Sequence, residues 1–222
     1  MSALSAVRPV QAWNYAPYTS SQQHALVINY TWDLPKASGL WNNAVTRGVL
    51  DGWQLSGENA FVSGDWSPVI LATTDNFDFT GGDGGNGSDV GGGVRVVRPV
   101  VTGDPRAADG NATPGAAGGW LNAAAFARPA GRGDYGNAAR NVFQLPGVNN
   151  WNLAVFKNVA AGGARRLQFR WEVYNLLNHT QFSAVDNTAR FDATGAQVNA
   201  AFGKATAARN PRIMQGSIRF SF

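Results

Sequence analysis

The sequence predicts an all-β fold, an antiparallel transmembrane β-barrel segment with long loops, and three observations carry that expectation. First, the last ten residues, 213–222 (IMQGSIRFSF), place Met214, Ile218, Phe220 and Phe222 on one face and Gln215, Ser217, Arg219 and Ser221 on the other, because successive strand side chains point to opposite faces. About ten residues is also the length a tilted strand needs to cross the hydrocarbon of a bilayer. Second, only 14% of residues are charged, against a usual quarter, while Gly (27), Phe (12) and Trp (8) are abundant and mean hydropathy is still −0.20. Strands that are oily on one side and wet on the other give that balance. Third, the connections between such strands run short, long, short, long.

Taken in order, residues 1–22 lack a period and read as a loop or broken strand. Residues 24–34 place Leu26, Ile28, Tyr30, Trp32 and Leu34 opposite Asn29, Thr31 and Asp33, and Pro35 ends the strand. After a modest connection (36–52), residues 53–63 resume the alternation, with Trp53, Leu55 and Phe61 against Gln54, Ser56 and Glu58. The loop expected over 64–150 turns, from about Ala72 to Asn150, to Gly, Asp, Asn and Pro with short apolar islands, the longest at 94–101 (VRVVRPVV). A connection that long is out of place in an ordinary compact domain but normal at one end of a membrane barrel. Strands are expected again over 151–158 and 166–178, joined by the Gly-containing stretch 159–165. A second long loop covers 181–212, before the closing strand 213–222.

Five strands do not close a membrane barrel, which needs at least about eight. Either weak segments such as 94–101 and 1–18 complete a small barrel, or the chain is part of a larger one.

Charge placement narrows the function classes. Glu58, Arg170, Glu172 and Arg219 all fall on the polar faces of their strands, as lumen-facing residues must, since a mid-span Lys or Arg facing lipid costs about 2–4 kcal/mol. The net charge of +4 is scattered without a basic run, so no nucleic-acid partner is expected. Without Cys there is neither a disulfide framework nor a thiol metal site. His24 and His179 would stand at one rim without further ligands. No catalytic constellation is spaced for chemistry, so neither an enzyme nor a cofactor is expected. Residues 81–89 (GGDGGNGSD) partly match a calcium-binding nonapeptide, but a single copy reads better as a flexible loop. Trp53, Trp151, Tyr30 and Trp32 suit a membrane interface better than a ligand. Met1 is not followed by an export signal.

Several stretches together resemble the C-terminal end of a TonB-dependent outer-membrane transporter of the Oar-like class, which carries a carboxypeptidase-regulatory-like domain at its N-terminus. They are HALVINY (24–30), LDGWQLSG (50–57), RPVVTGDP (98–105), WLNAAAF (120–126), GNAARN (136–141), PGVNNWNLAVFKN (146–158), FRWEVYNLLNHTQF (169–182), Phe202-Gly203 and PRIMQGSIRFSF (211–222). Their order and spacing cover about nine tenths of the chain.

The resemblance implies the last five or so strands of a 22-stranded barrel, with loops 64–150 and 181–212 extracellular and connections 35–52 and 159–165 in the periplasm. It implies as partners the outer-membrane lipid, the rest of the barrel and its plug, TonB acting through a segment that this sequence lacks, and the barrel-assembly machinery. That machinery would read Ile218, Phe220 and Phe222. On this expectation the chain is a fragment that takes part in nutrient uptake and cannot transport alone. The alternatives are a complete small outer-membrane barrel with a structural or adhesive role, and a soluble β-sandwich that binds carbohydrate.

Overall fold

The computed structural model describes residues 14–41, 43–79, 97–106 and 119–222. They form two compact units. One comprises residues 24–63, 147–181 and 209–222, and the other 1–23, 64–146 and 182–208, so far as these are described.

The first unit is one antiparallel sheet whose strands lie side by side in chain order. They are β1 (Ala25–Asp33), β2 (Trp53–Val62), β3 (Val148–Ala160), β4 (Arg166–Tyr174) and β5 (Ile213–Ser221). Consecutive antiparallel strands need only a local reversal of the chain. At one end β3 and β4 are joined by a tight turn, with Ala161 N–H donating to Arg165 O (3.0 Å) and Gly162 and Gly163 at φ +87° and +60°. Two consecutive positive φ values suit glycine.

The strand expected over 151–158 is longer, starting at Val148. The one expected to run to 178 stops at Tyr174, because Asn175 and Asn178 both take positive φ (52° and 50°) and make a turn. Short polar Asn side chains tolerate that region.

Register fixes the two faces. Tyr30 pairs with Gly57, Leu55 with Val155, Val155 with Trp171 and Trp171 with Gly216, so one face is a row of large apolar groups. Residues one step along, such as Asn29, Glu58, Asn152 and Gln215, line the other. Every residue of β1 and β5 is exposed, and among the described residues no strand pairs with the outer edge of either.

In the second unit the stretches expected as long loops carry short strands of their own. Residues 64–146 and 182–208 are built into short ladders. Trp66–Ser67 pairs with Phe143–Gln144, Ile70–Thr73 runs parallel to Thr188–Phe191, Val100–Val101 pairs with Phe126–Ala127, and Phe182–Val185 pairs with Ala205–Ala208. They enclose a common core that includes Val69, Leu71, Phe79, Val97, Phe126, Phe143, Phe191 and Phe202, all nearly inaccessible to solvent. The rings of Phe126 and Phe202 meet edge to face at 5.4 Å. Each fully buried Phe contributes about 1.5–3 kcal/mol of transfer free energy. The two loops therefore hold each other, which neither stretch could do alone.

Two arginines of this unit, the half-buried Arg128 and the buried Arg98, have partners. Arg128 pairs with Asp75 (2.7 Å), donates to Asp192 O and lies 5.2 and 5.4 Å from the ring centroids of Phe77 and Phe79. Arg98 donates to Ala138 O and Asn14 Oδ1. Its guanidinium pKa is lowered to about 10, chiefly by burial and then by Arg140.

Of the apolar island 94–101, only Val100–Val101 enters a ladder, and 94–96 lie outside the described residues. Residues 1–13 and the glycine-rich stretch 81–89 also lie outside them, and 14–18 form no strand. Among the described residues no helix is long and apolar enough to cross a membrane.

Candidate functional site

The polar face of the five-stranded sheet carries the densest set of interacting polar groups in that unit. Its centre is Glu172 of β4, which is buried. The strand alternation turns this carboxylate to the same side as Arg170 two residues before and Tyr174 two residues after. Arg170 Nη2 donates to Glu172 Oε1, Gln215 Nε2 from β5 donates to Oε2, and Tyr174 Oη donates to Oε1 at 3.4 Å. A carboxylate met by three donors is a fixed negative point, and charge-assisted bonds of this kind are about twice as strong as neutral ones.

Around it lies a hollow of about 400 Å³ lined by Thr31, Ser56, Glu58, Asn152, Arg170 and Tyr174 among others. Cross-strand polar pairs continue the pattern. Thr31 Oγ1 meets Ser56 Oγ at 3.3 Å, Gln54 Nε2 donates to Asp33 Oδ1 at 2.7 Å, and Gln168 Nε2 donates to Asn158 Oδ1 at 2.8 Å. The arrangement can bind polar solutes or a polar protein surface. Nothing in it supplies a nucleophile with a base.

The register puts all four sequence-derived residues, Glu58, Arg170, Glu172 and Arg219, on this one face. It brings Arg170 and Glu172 into contact and sets the exposed Glu58 on the wall of the same hollow, while Arg219 is exposed and outside that lining. Ile218, Phe220 and Phe222 share the opposite side at the end of β5. All three are highly exposed, with the rings of Phe220 and Phe222 6.0 Å apart. His24 and His179 contribute backbone hydrogen bonds near the ends of β1 and β4. Among the described residues no group of three His, Cys, Asp or Glu could hold a metal ion.

One charge departs from the sorting. At the end of β3 the alternation inverts, so that Phe156 faces the polar side beneath Arg170 (5.1 Å from ring centroid to guanidinium) and Lys157 faces the apolar side. Lys157 is nevertheless buried and capped. Its ammonium donates to Val49 O (3.0 Å) and Asp51 O and stands 5.3 Å from the Trp53 ring. The adjacent pair Phe156-Lys157 was a visible break in the period. The site it serves, a helical turn over 44–50, had no such signal in what reads as a modest connection.

Compared with known proteins, residues 5–215 match a family model described as an outer membrane beta barrel domain. No curated protein and no solved structure matches the chain.

Proposed function

The chain belongs to the outer membrane beta barrel domain family, which places it in the outer membrane, and from that premise we propose that it is an arc of a nutrient-uptake barrel driven by TonB. The observation that carries the reading is the pair of open edges on a two-faced sheet. In hydrocarbon an unpaired strand edge leaves backbone N–H and C=O groups without partners, each costing several kcal/mol. Among the described residues nothing pairs with the outer edge of β1 or of β5, which supports further strands meeting them. The polar network around Glu172 then lines the lumen, and the row from Leu26 to Phe222 meets lipid.

The finer assignment, to the last strands of a 22-stranded transporter of the Oar-like class, is supported by the family-like text from residue 24 to Phe222. On that reading the tight turn 161–165 and the connection 34–52 face the periplasm. Ile218, Phe220 and Phe222 are read by the assembly machinery, and plug and TonB-contacting segments belong to the rest of the polypeptide.

Reading the coding DNA upstream of Met1 tests this directly. An in-frame continuation that encodes further strands and a plug is the expected result. A promoter and export signal immediately ahead of Met1, with a heat-modifiable detergent-soluble monomer made by this chain alone, would establish a small self-contained barrel instead.

A further inference from the structure

The connection between β1 and β2 is an ordered element on the apolar side of the sheet. Trp53 and Lys157 are direct cross-strand partners on the apolar face. Both side chains reach the same carbonyl, with Trp53 Nε1 donating to Val49 O at 2.8 Å and Lys157 Nζ at 3.0 Å. A carbonyl reached by two groups of that face lies on that side, so the segment turns toward the membrane-facing surface and away from the lumen.

Its shape is fixed internally. Asn43 Oδ1 accepts from Thr46 N (2.8 Å) and Oγ1 (3.0 Å), and Ser38 N and Oγ donate to the Asp51 carboxylate (3.0 and 2.5 Å), clamping the two ends of the connection together.

What this element shows outward is apolar. Leu40 is 81% exposed, Trp41 66% and Val45 72%, and Val49 and Leu50 are also exposed. Trp41, Val45 and Val49 recur at every fourth residue. Exposed apolar groups clustered in one segment mark a contact surface. Basic residues flank them, Lys36 and Arg47 in the connection and Arg165 and Arg166 at the neighbouring turn. The nearby acids, Asp33 and Asp51, accept from Gln54 and Ser38 and stay ionised, so they balance Lys36 and Arg47, and the basic excess at this end of the sheet comes from Arg165 and Arg166.

We propose that the connection 36–52 is a membrane-lying anchor. It inserts Leu40, Trp41, Val45, Val49 and Leu50 among the acyl chains of a phospholipid leaflet, with Lys36 and Arg47 at the level of anionic phosphates. Two features favour lipid as the occupant: the continuity of this surface with the apolar face, and its charge complementarity to phosphate. A plug would lie against the polar face, on the other side of the sheet. The inference rests on the reading above that the apolar face meets lipid and that this end of the sheet faces the periplasmic, phospholipid leaflet.

The chain has no Cys, so single cysteines can be introduced and labelled with a polarity-sensitive dye. Val45→Cys and Leu50→Cys report on the anchor, Leu55→Cys on the apolar face of β2, and Gly162→Cys on the tight turn. The labelled positions are carried in the complete barrel that the proposed function requires, with any cysteine elsewhere in it replaced by Ser, and that barrel is reconstituted into vesicles of mixed phosphatidylcholine and phosphatidylglycerol with brominated acyl chains. The expected result is about a twofold loss of emission at positions 45, 50 and 55 and none at 162. The loss at 45 and 50 should shrink when phosphatidylglycerol is omitted, while that at 55 persists. Quenching at 55 alone, with labels at 45 and 50 in water or shielded by protein, overturns the anchor and leaves the barrel reading standing. Absence of quenching at 55 as well overturns both.

Discussion

The ring of Tyr30 lies over the backbone of Gly57, its direct partner across β1 and β2, and fills the space where a side chain at Gly57 would begin. Trp171 covers Gly216 in the same way across β4 and β5, where an added Cβ would sit 3.2 Å from the indole. A glycine inside a strand ordinarily weakens it by about 0.5–1 kcal/mol relative to alanine. Here the overlying ring reverses the sign. Gly57→Val is expected to displace Tyr30 and lose the cross-strand aromatic contact, destabilising the sheet by about 1 kcal/mol. The check is a urea titration of the membrane-inserted protein. A gain in stability for Gly57→Val would show that the ring contributes nothing.

Phe191 is 1% exposed in the core that both loop segments share. Phe191→Ala should destabilise this unit by about 3–5 kcal/mol, the usual loss for emptying a buried aromatic site. The five-stranded sheet is held by its own ladder, so hydrogen exchange should accelerate at residues 70–73 and 188–191 while amides of β3 and β4 keep their protection. Uniform acceleration across both units would contradict this.

Asp192 accepts hydrogen bonds from Thr194 Oγ1 (2.7 Å), Thr194 N (2.9 Å) and Ala196 N (2.9 Å), and the Thr194 hydroxyl first, then the Ala196 amide, hold its carboxyl below the ordinary 3.8. Arg128 does the same for Asp75. With folded pKa values depressed, the stabilisation is present above pH 3.8 and is lost as pH falls through the folded value. The turn at 192–196 should therefore loosen only below about pH 4. Carbon chemical shifts of Asp192 followed against pH give the folded value directly, and a midpoint above 3.8 would reverse the prediction. Asp192→Asn should remove the pH dependence of this turn.

Lys157 ties the helical turn at 44–50 to β3 through two backbone carbonyls. Lys157→Met keeps the length of the side chain and suits the apolar face, so the sheet should be unharmed. Losing the charged donor should cost the turn about 1.5 kcal/mol, read as about a tenfold loss of amide protection over 44–50. Equal loss of protection in β3 would mean that Lys157 supports the strand and not the turn.

The strands were legible in the sequence because a period of two survives through most of each, broken in β3 at Phe156-Lys157. The polar-face set of Glu58, Arg170, Glu172 and Arg219 follows from that alternation. What pairing adds is selection: only the register of β4 against β5 puts Gln215 beside Glu172 and makes a network from two of the four. The loop unit left no such trace. Its ladders are two to four residues long, too short for any period to emerge. Its core joins Leu71 to Phe191 across 120 positions of sequence. Gly and Asn, read there as signs of irregular chain, supply turns such as Gly203 at φ +77° that let the segments interlace. The 36–52 connection was missed for another reason, since its order comes from the polar contacts of Ser38 with Asp51 and of Thr46 with Asn43, which leave no period of two.

The meander has an odd number of strands, so β1 and β5 run in the same direction and both end at the side of the tight turn. Parity then restricts what can complete the structure. A direct seam between the two edges, or a ring of copies joined β1 to β5, would pair parallel strands in a fold built from antiparallel ones. Antiparallel closure requires an odd number of additional strands between the edges, whatever the final circumference. A five-stranded sheet of this kind is therefore not a repeating module that can be copied head to tail around a ring.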